Sequence, residues 1–143
     1  MTKNSIITAK ILTYSGTLPL IASVISVFFP FEGLNPVFVA TTYSAIIISF
    51  LCGIHWAAYI FFADKCPRYL LITSNVVALL AWLSLLLMPQ ATTTILQALC
   101  FLYLLTLDSK IRNAGMYPGW FYTLRRNATI IVVLCLFILA GFS

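Results

Sequence analysis

Residues 36–63 read PVFVATTYSAIIISFLCGIHWAAYIFFA, and Asp64-Lys65 follow at once. No Asp, Glu, Lys or Arg interrupts the run. A bilayer core of about 30 Å is crossed by roughly 20 apolar residues at about 1.5 Å each, so this stretch spans a membrane with length left for tilt or an interfacial start. His55, the chain's single histidine, lies nine residues before Asp64. A helical rise of about 1.5 Å per residue puts it about 13 Å inside the boundary, close to mid-membrane.

Working outward, four more such runs emerge: Ile11–Phe29, closed by Pro30-Phe31-Glu32-Gly33; Tyr69–Met88, ending at Pro89; Ala91–Leu107, introduced by Thr92-Thr93-Thr94; and Leu124–Phe142. Composition agrees. Of 143 residues 62% are apolar and 8% charged, and the mean hydropathy is +1.06, which excludes a water-covered surface. The expected fold is all-α, a polytopic membrane protein whose residues 1–143 form a single five-helix transmembrane domain, with Asp108–Thr123 as a long connection.

The eight Lys/Arg are one-sided. Lys3 and Lys10 precede the first span, Lys65 and Arg68 join the second to the third, and Lys110, Arg112, Arg125 and Arg126 lie between the fourth and fifth. The opposite connections, around Glu32 and Pro89-Gln90, hold none. Cationic loops stay in the cytoplasm, so the N-terminus is expected inside and the C-terminus outside. The net charge of +5 then reads as topology and attraction to anionic lipid, not as a nucleic-acid footprint. No small-x-small cleavage signal follows the first span and the first arginine is Arg68, which favours a bacterial inner membrane, with the mitochondrial inner membrane as the alternative.

Candidate chemistry is sparse. Cys52, Cys66, Cys100 and Cys135 form no C-x-x-C pair and share no outward loop, so they read as small thiols buried between helices, with neither disulfide nor zinc site expected. At helical spacing Ser44, Cys52, His55 and Tyr59 share one stripe, Gly53 offers close approach, and Ile46, Phe50, Ile54 and Phe61 face lipid. Asn75, Tyr103, Asn127 and Thr129 place polar groups at comparable depth, and Trp120 and Arg125 border them in an aromatic segment, Tyr117 to Tyr122. A ligand pocket built from His55, Trp56, Tyr59, Asn75, Tyr103, Trp120 and Arg125 is one expectation. Separate interhelical hydrogen bonds and ordinary interfacial anchoring are the other. Glu32, Asp64 and Asp108 are all expected outside the hydrocarbon, leaving His55 without a carboxylate partner.

Two segments carry a resemblance: Gly53-Ile54-His55-Trp56, and Pro118-Gly119-Trp120-Phe121 ahead of Leu124-Arg125. With Leu107-Asp108, they make the chain similar to the transmembrane protein 69-like family, domain of unknown function family 3429, whose members are small bacterial and mitochondrial membrane proteins. Cys52 and Ala57 stand where that family has glycines, and Phe121 where it has tyrosine. The resemblance implies the span count and marks His55 and Trp120, and it implies no reaction. Pro118-Gly119-Trp120 is also similar to a motif of the five-helix, porphyrin-binding tryptophan-rich sensory proteins, where it lies early in the chain rather than late.

The expected role is therefore non-catalytic: an accessory or assembly subunit of a larger membrane complex, such as a respiratory one, with other membrane subunits or a second copy as partners besides the bilayer. The alternative is a binding or carrier protein for a quinone, porphyrin or lipid around His55. No nucleophile–base pair, paired carboxylates or metal cluster supports an enzyme. No cofactor is expected beyond a quinone or porphyrin taken as ligand.

Overall fold

The computed structural model describes residues 2–143. They form α1 (Lys3–Ser15), α2 (Leu18–Phe28), α3 (Pro36–Phe61), α4 (Tyr69–Leu87), α5 (Gln90–Asn113) and α6 (Gly119–Gly141). Five stretches are long and apolar enough to cross a membrane, α1 and α2 counting together as one. This is a small multi-pass membrane protein.

The first span starts earlier than hydropathy indicates and is broken in the middle. Thr2 caps α1, its hydroxyl accepting from the Ser5 amide at 3.2 Å, so the polar turn containing Lys3, Asn4 and Ser5 is already helical. The break at Gly16-Thr17 comes from Pro19 in the first turn of α2, which lacks an N–H and whose ring opposes the preceding turn. Tyr43 of α3 donates its hydroxyl to the Gly16 carbonyl at 2.7 Å. Thr17 donates to the Tyr14 carbonyl at 2.7 Å. A backbone kink in lipid must find such partners, because no water is there to supply them.

At the other end of that hairpin, Gly33 takes φ +85° and Asn35 caps α3, its Oδ1 accepting from the amides of Val37 and Phe38, with Pro36 at the first helical position. The α4–α5 turn is closed by Thr93, whose hydroxyl donates to the Ser84 carbonyl at 2.8 Å.

The largest departure from expectation is the connection between the last two spans. The helix starting at Gln90 continues to Asn113, and the final helix begins at Gly119, so a connection expected over residues 108–123 shrinks to Ala114–Pro118. Hydropathy marks where lipid ends, not where a helix ends, and residues 108–113 contain no Gly or Pro. Gly115, at φ +82°, stops the helix, with Met116 N–H returned to the Ile111 carbonyl.

The helices pack as three triangles with shared edges: α2, α3 and α6; α3, α5 and α6; α3, α4 and α5. Ala40, Ala81 and Ala98 are fully buried, and such small residues let helices approach closely in lipid. Phe101, Leu104, Leu136 and Ile48 fill the centre. On α3, Ser44, Cys52 and His55 point inward as expected, while Ile46, Phe50 and Phe61 are exposed. Ile54, expected toward lipid, is half-buried and lines a groove. Gly53, expected at a close approach, has open space where a side chain would project.

Candidate functional site

Three helices bring one ionisable group each to the same end of the bundle. On α3, His55 continues the buried stripe of Ile48, Leu51 and Cys52. On α5, Asp108 continues that of Phe101, Leu104 and Leu107. On α6, Arg125 opens the stripe of Ala128, Thr129 and Val132. His55 Nε2 lies 2.8 Å from Asp108 Oδ1, and Arg125 Nη2 donates to Asp108 Oδ2 at 2.8 Å. His55 and Asp108 are each 1% exposed. An ionised carboxylate only accepts, so His55 carries its proton on Nε2. His55 Nδ1 is buried without a partner.

This overturns the expectation that His55 has no carboxylate partner. Depth measured from the first charged residue places Asp108 at the water boundary. The helix that continues past it, and α6 starting before Arg125, enclose it instead. A buried charge in a low-dielectric bundle persists because it is paired and hydrogen-bonded on both oxygens.

Beneath this cluster lies the short α5–α6 connection. Tyr117 stacks edge-on against Phe121, ring centres 4.9 Å apart, and its buried hydroxyl has no partner. Burial pushes the Tyr117 phenol well above its ordinary range, the Asp108 charge adds to this, and Arg125 opposes it. Cys66, in the α3–α4 connection, donates its thiol toward Met116 Sδ at 3.3 Å, and burial pushes that thiol up. All four cysteines are free and buried. Among the described residues no group of three His, Cys, Asp or Glu is placed to hold a metal ion.

Beside the cluster runs a groove of about 370 Å³ between the α1–α2 kink, α3 and α6, with Phe101 of α5 also contributing. That size falls within the range of small-molecule sites. Its walls are apolar, from Leu12, Leu20, Phe50, Ile54, Phe121 and Val132. Arg125 and Thr129, one turn apart on α6, also line it. Thr129 is 1% exposed and its hydroxyl has no partner. By contrast, the hydroxyls of Thr13, Thr41, Thr73, Thr94 and Thr123 each donate to the carbonyl four residues earlier.

Of the seven residues expected to form a pocket, only His55 and Arg125 converge, and they do so through Asp108. Trp56 is 38% exposed and donates its indole N–H to Asn75 Oδ1 at 3.1 Å, a pair on the outer side of α3 and α4. Tyr103 is exposed and lines a separate cleft of α4 and α5 with Thr73 and Leu99. Tyr59 is half-buried against the core. Trp120 stacks edge-on against Phe121 and is not among the groove residues. Asn127 donates to Tyr14 Oη at 3.3 Å, tying α6 to α1. Sequence reasoning missed Asp108 as the partner of His55, whereas Thr129, named as a polar group at comparable depth, lines the groove beside Arg125. A signal for Asp108 existed, since the three short motifs that carry the family resemblance each contribute one member of the cluster.

The family model described as Protein of unknown function (DUF3429) matches residues 5–141. Neither a curated protein nor a solved structure matches the chain.

Proposed function

The chain belongs to the family described as Protein of unknown function (DUF3429), and from that premise we propose that it is a non-catalytic membrane protein that binds or carries an amphiphilic molecule. The observation that supports this is the groove: an apolar channel wall interrupted by one cation, Arg125, and one unsatisfied hydroxyl, Thr129. Such a combination takes a hydrocarbon chain along the wall and fixes a polar head at one level.

His55 does not line that groove. In this proposal it is a positioning residue: it holds Asp108, which holds Arg125. A quinone, a porphyrin or a lipid remains the candidate ligand class, with its head beside Arg125 rather than at His55. The distribution of Lys and Arg supports an orientation with this end of the bundle in the cytoplasm, in a bacterial inner membrane.

The test is native mass spectrometry of the chain extracted gently from its own membrane. The expected result is a stoichiometric small molecule that is lost when Ala128→Phe fills the groove. A co-purifying protein with no retained small molecule would instead establish the accessory or assembly-subunit role and overturn the carrier.

A further inference from the structure

Building on the groove as a binding site, we infer that it selects an uncharged head bearing an oxygen acceptor, a carbonyl or hydroxyl, and rejects anionic heads despite the arginine in its wall. Charge balance is the first ground. Arg125 is neutralised by Asp108 at 2.8 Å, and Asp108 is closed on its other oxygen by His55 at 2.8 Å. His55 Nδ1 is buried with no acceptor for a second proton, so the imidazole adds no charge and the buried cluster sums to zero. An entering anion leaves one uncompensated negative charge at that depth, whereas a lone arginine would have welcomed it.

No other described group offers the missing cation. Tyr117, the further titratable group beside Asp108 and Arg125, can add only negative charge, as can the Cys66 thiol that faces it. Arg126, Lys10 and Arg112 are exposed, and none of them lines the groove.

Hydrogen-bonding capacity is the second ground. A guanidinium carries five N–H donors, and the recorded bond to Asp108 engages Nη2. Thr129 lines the same groove, and its buried hydroxyl, like that of Thr42, forgoes the bond to the preceding turn that six other helical threonines make. An uncharged oxygen accepts from Arg125 and pairs with Thr129 without altering the cluster's charge. A quaternary ammonium satisfies neither group.

The experiment uses the full chain in lipid nanodiscs and four photoreactive alkyl probes of equal length, ending in a hydroxyl, a methyl ketone, a sulfonate or a quaternary ammonium. Labelled peptides are mapped by mass spectrometry. The hydroxyl and ketone probes are expected to label α1 and α6 at the groove walls at least tenfold more than the sulfonate and ammonium probes, and the ratio between the two favoured probes separates alcohol-type from carbonyl-type ligands. Thr129→Val is expected to reduce their labelling roughly fivefold, the loss of one neutral hydrogen bond. Asp108→Asn, which frees the charge of Arg125, is expected to turn the preference to the sulfonate.

Sulfonate labelling equal to or above the uncharged probes in the unaltered chain overturns the head-group inference and leaves the groove standing. Equal labelling by all four shows only partition from lipid, and absence of label at the groove walls removes the site itself. Should Asp108→Asn not fold, the probe ratios and Thr129→Val decide the matter alone.

Discussion

His55 and Trp56 are consecutive residues of α3, and each leads to a polar contact of opposite character. His55 points inward and joins α3 to α5 and α6 through a carboxylate whose two oxygens are both occupied. Trp56 points outward and joins α3 to α4 through a single neutral hydrogen bond to Asn75 on an exposed face. The first assembly is the costlier to break, because losing Asp108 or Arg125 strands a charge in a medium that cannot solvate it, and losing His55 takes a hydrogen bond from a charged oxygen. The second can be lost with little consequence, since the freed groups lie at a surface and find other partners.

That contrast can be broken most severely at Asp108. Asp108→Ala is expected to destabilise the bundle by about 3–5 kcal/mol, the cost of leaving a buried guanidinium unpaired. Denaturant-induced unfolding in mixed micelles measures it. Replacing both partners, Asp108→Leu with Arg125→Leu, is expected to recover most of that loss, because two apolar side chains leave no stranded charge. If the double variant were no more stable than Asp108→Ala, packing rather than charge pairing would explain the cluster.

His55→Ala ranks next, at about 2–3 kcal/mol, since Asp108 keeps Arg125 but loses a hydrogen bond to a charged oxygen. The same micelle titration reads it, and a loss under about 0.5 kcal/mol would place His55 outside the cooperative unit. Toward the opposite end of the bundle lies a third contact: Gln97 of α5, fully buried, donates to the Thr41 carbonyl of α3 at 3.0 Å while its Oε1 stays unpartnered. Gln97→Leu removes a bond and an unsatisfied oxygen together, so a net change within about 1 kcal/mol of zero is expected. Trp56→Phe should cost far less than His55→Ala, about 0.6 kcal/mol, the average interhelical hydrogen bond in a membrane protein. A loss comparable to that of His55→Ala would show that the outer pair is structural after all.

Much of the architecture was legible beforehand. The five apolar stretches, their order and the inward stripe of Ser44, Cys52 and His55 follow from hydropathy and a 3.6-residue period. The kink at Gly16-Thr17 and the full length of α5 were not, for different reasons. Pro19 near a helix start is compatible with one bent span or two short helices, and the broken form is stabilised by the Tyr43 hydroxyl on the Gly16 carbonyl and the Thr17 hydroxyl on the Tyr14 carbonyl. Asp108 reads as a boundary marker in the sequence because a charge at the edge of an apolar window usually is one. Its burial depends on His55 of α3 and Arg125 of α6 closing on it from two other helices, which no window along one segment records.

The candidate site was partly legible in the same sense. His55 and Arg125 were named from residue type and depth, and they meet. Trp56, Asn75, Tyr103 and Trp120 were named on the same grounds and face elsewhere, because depth along a helix fixes a level in the membrane but not an azimuth relative to the neighbours.

What the sequence alone determined is the solvent and the number of crossings, both of which are sums over single residues transferring into lipid. What only the tertiary structure decided is that His55, Asp108 and Arg125 form one hydrogen-bonded unit and that Thr129 is left unsatisfied beside it. Those are properties of pairs far apart in the chain, and a pair's free energy exists only once the helices that carry it have packed.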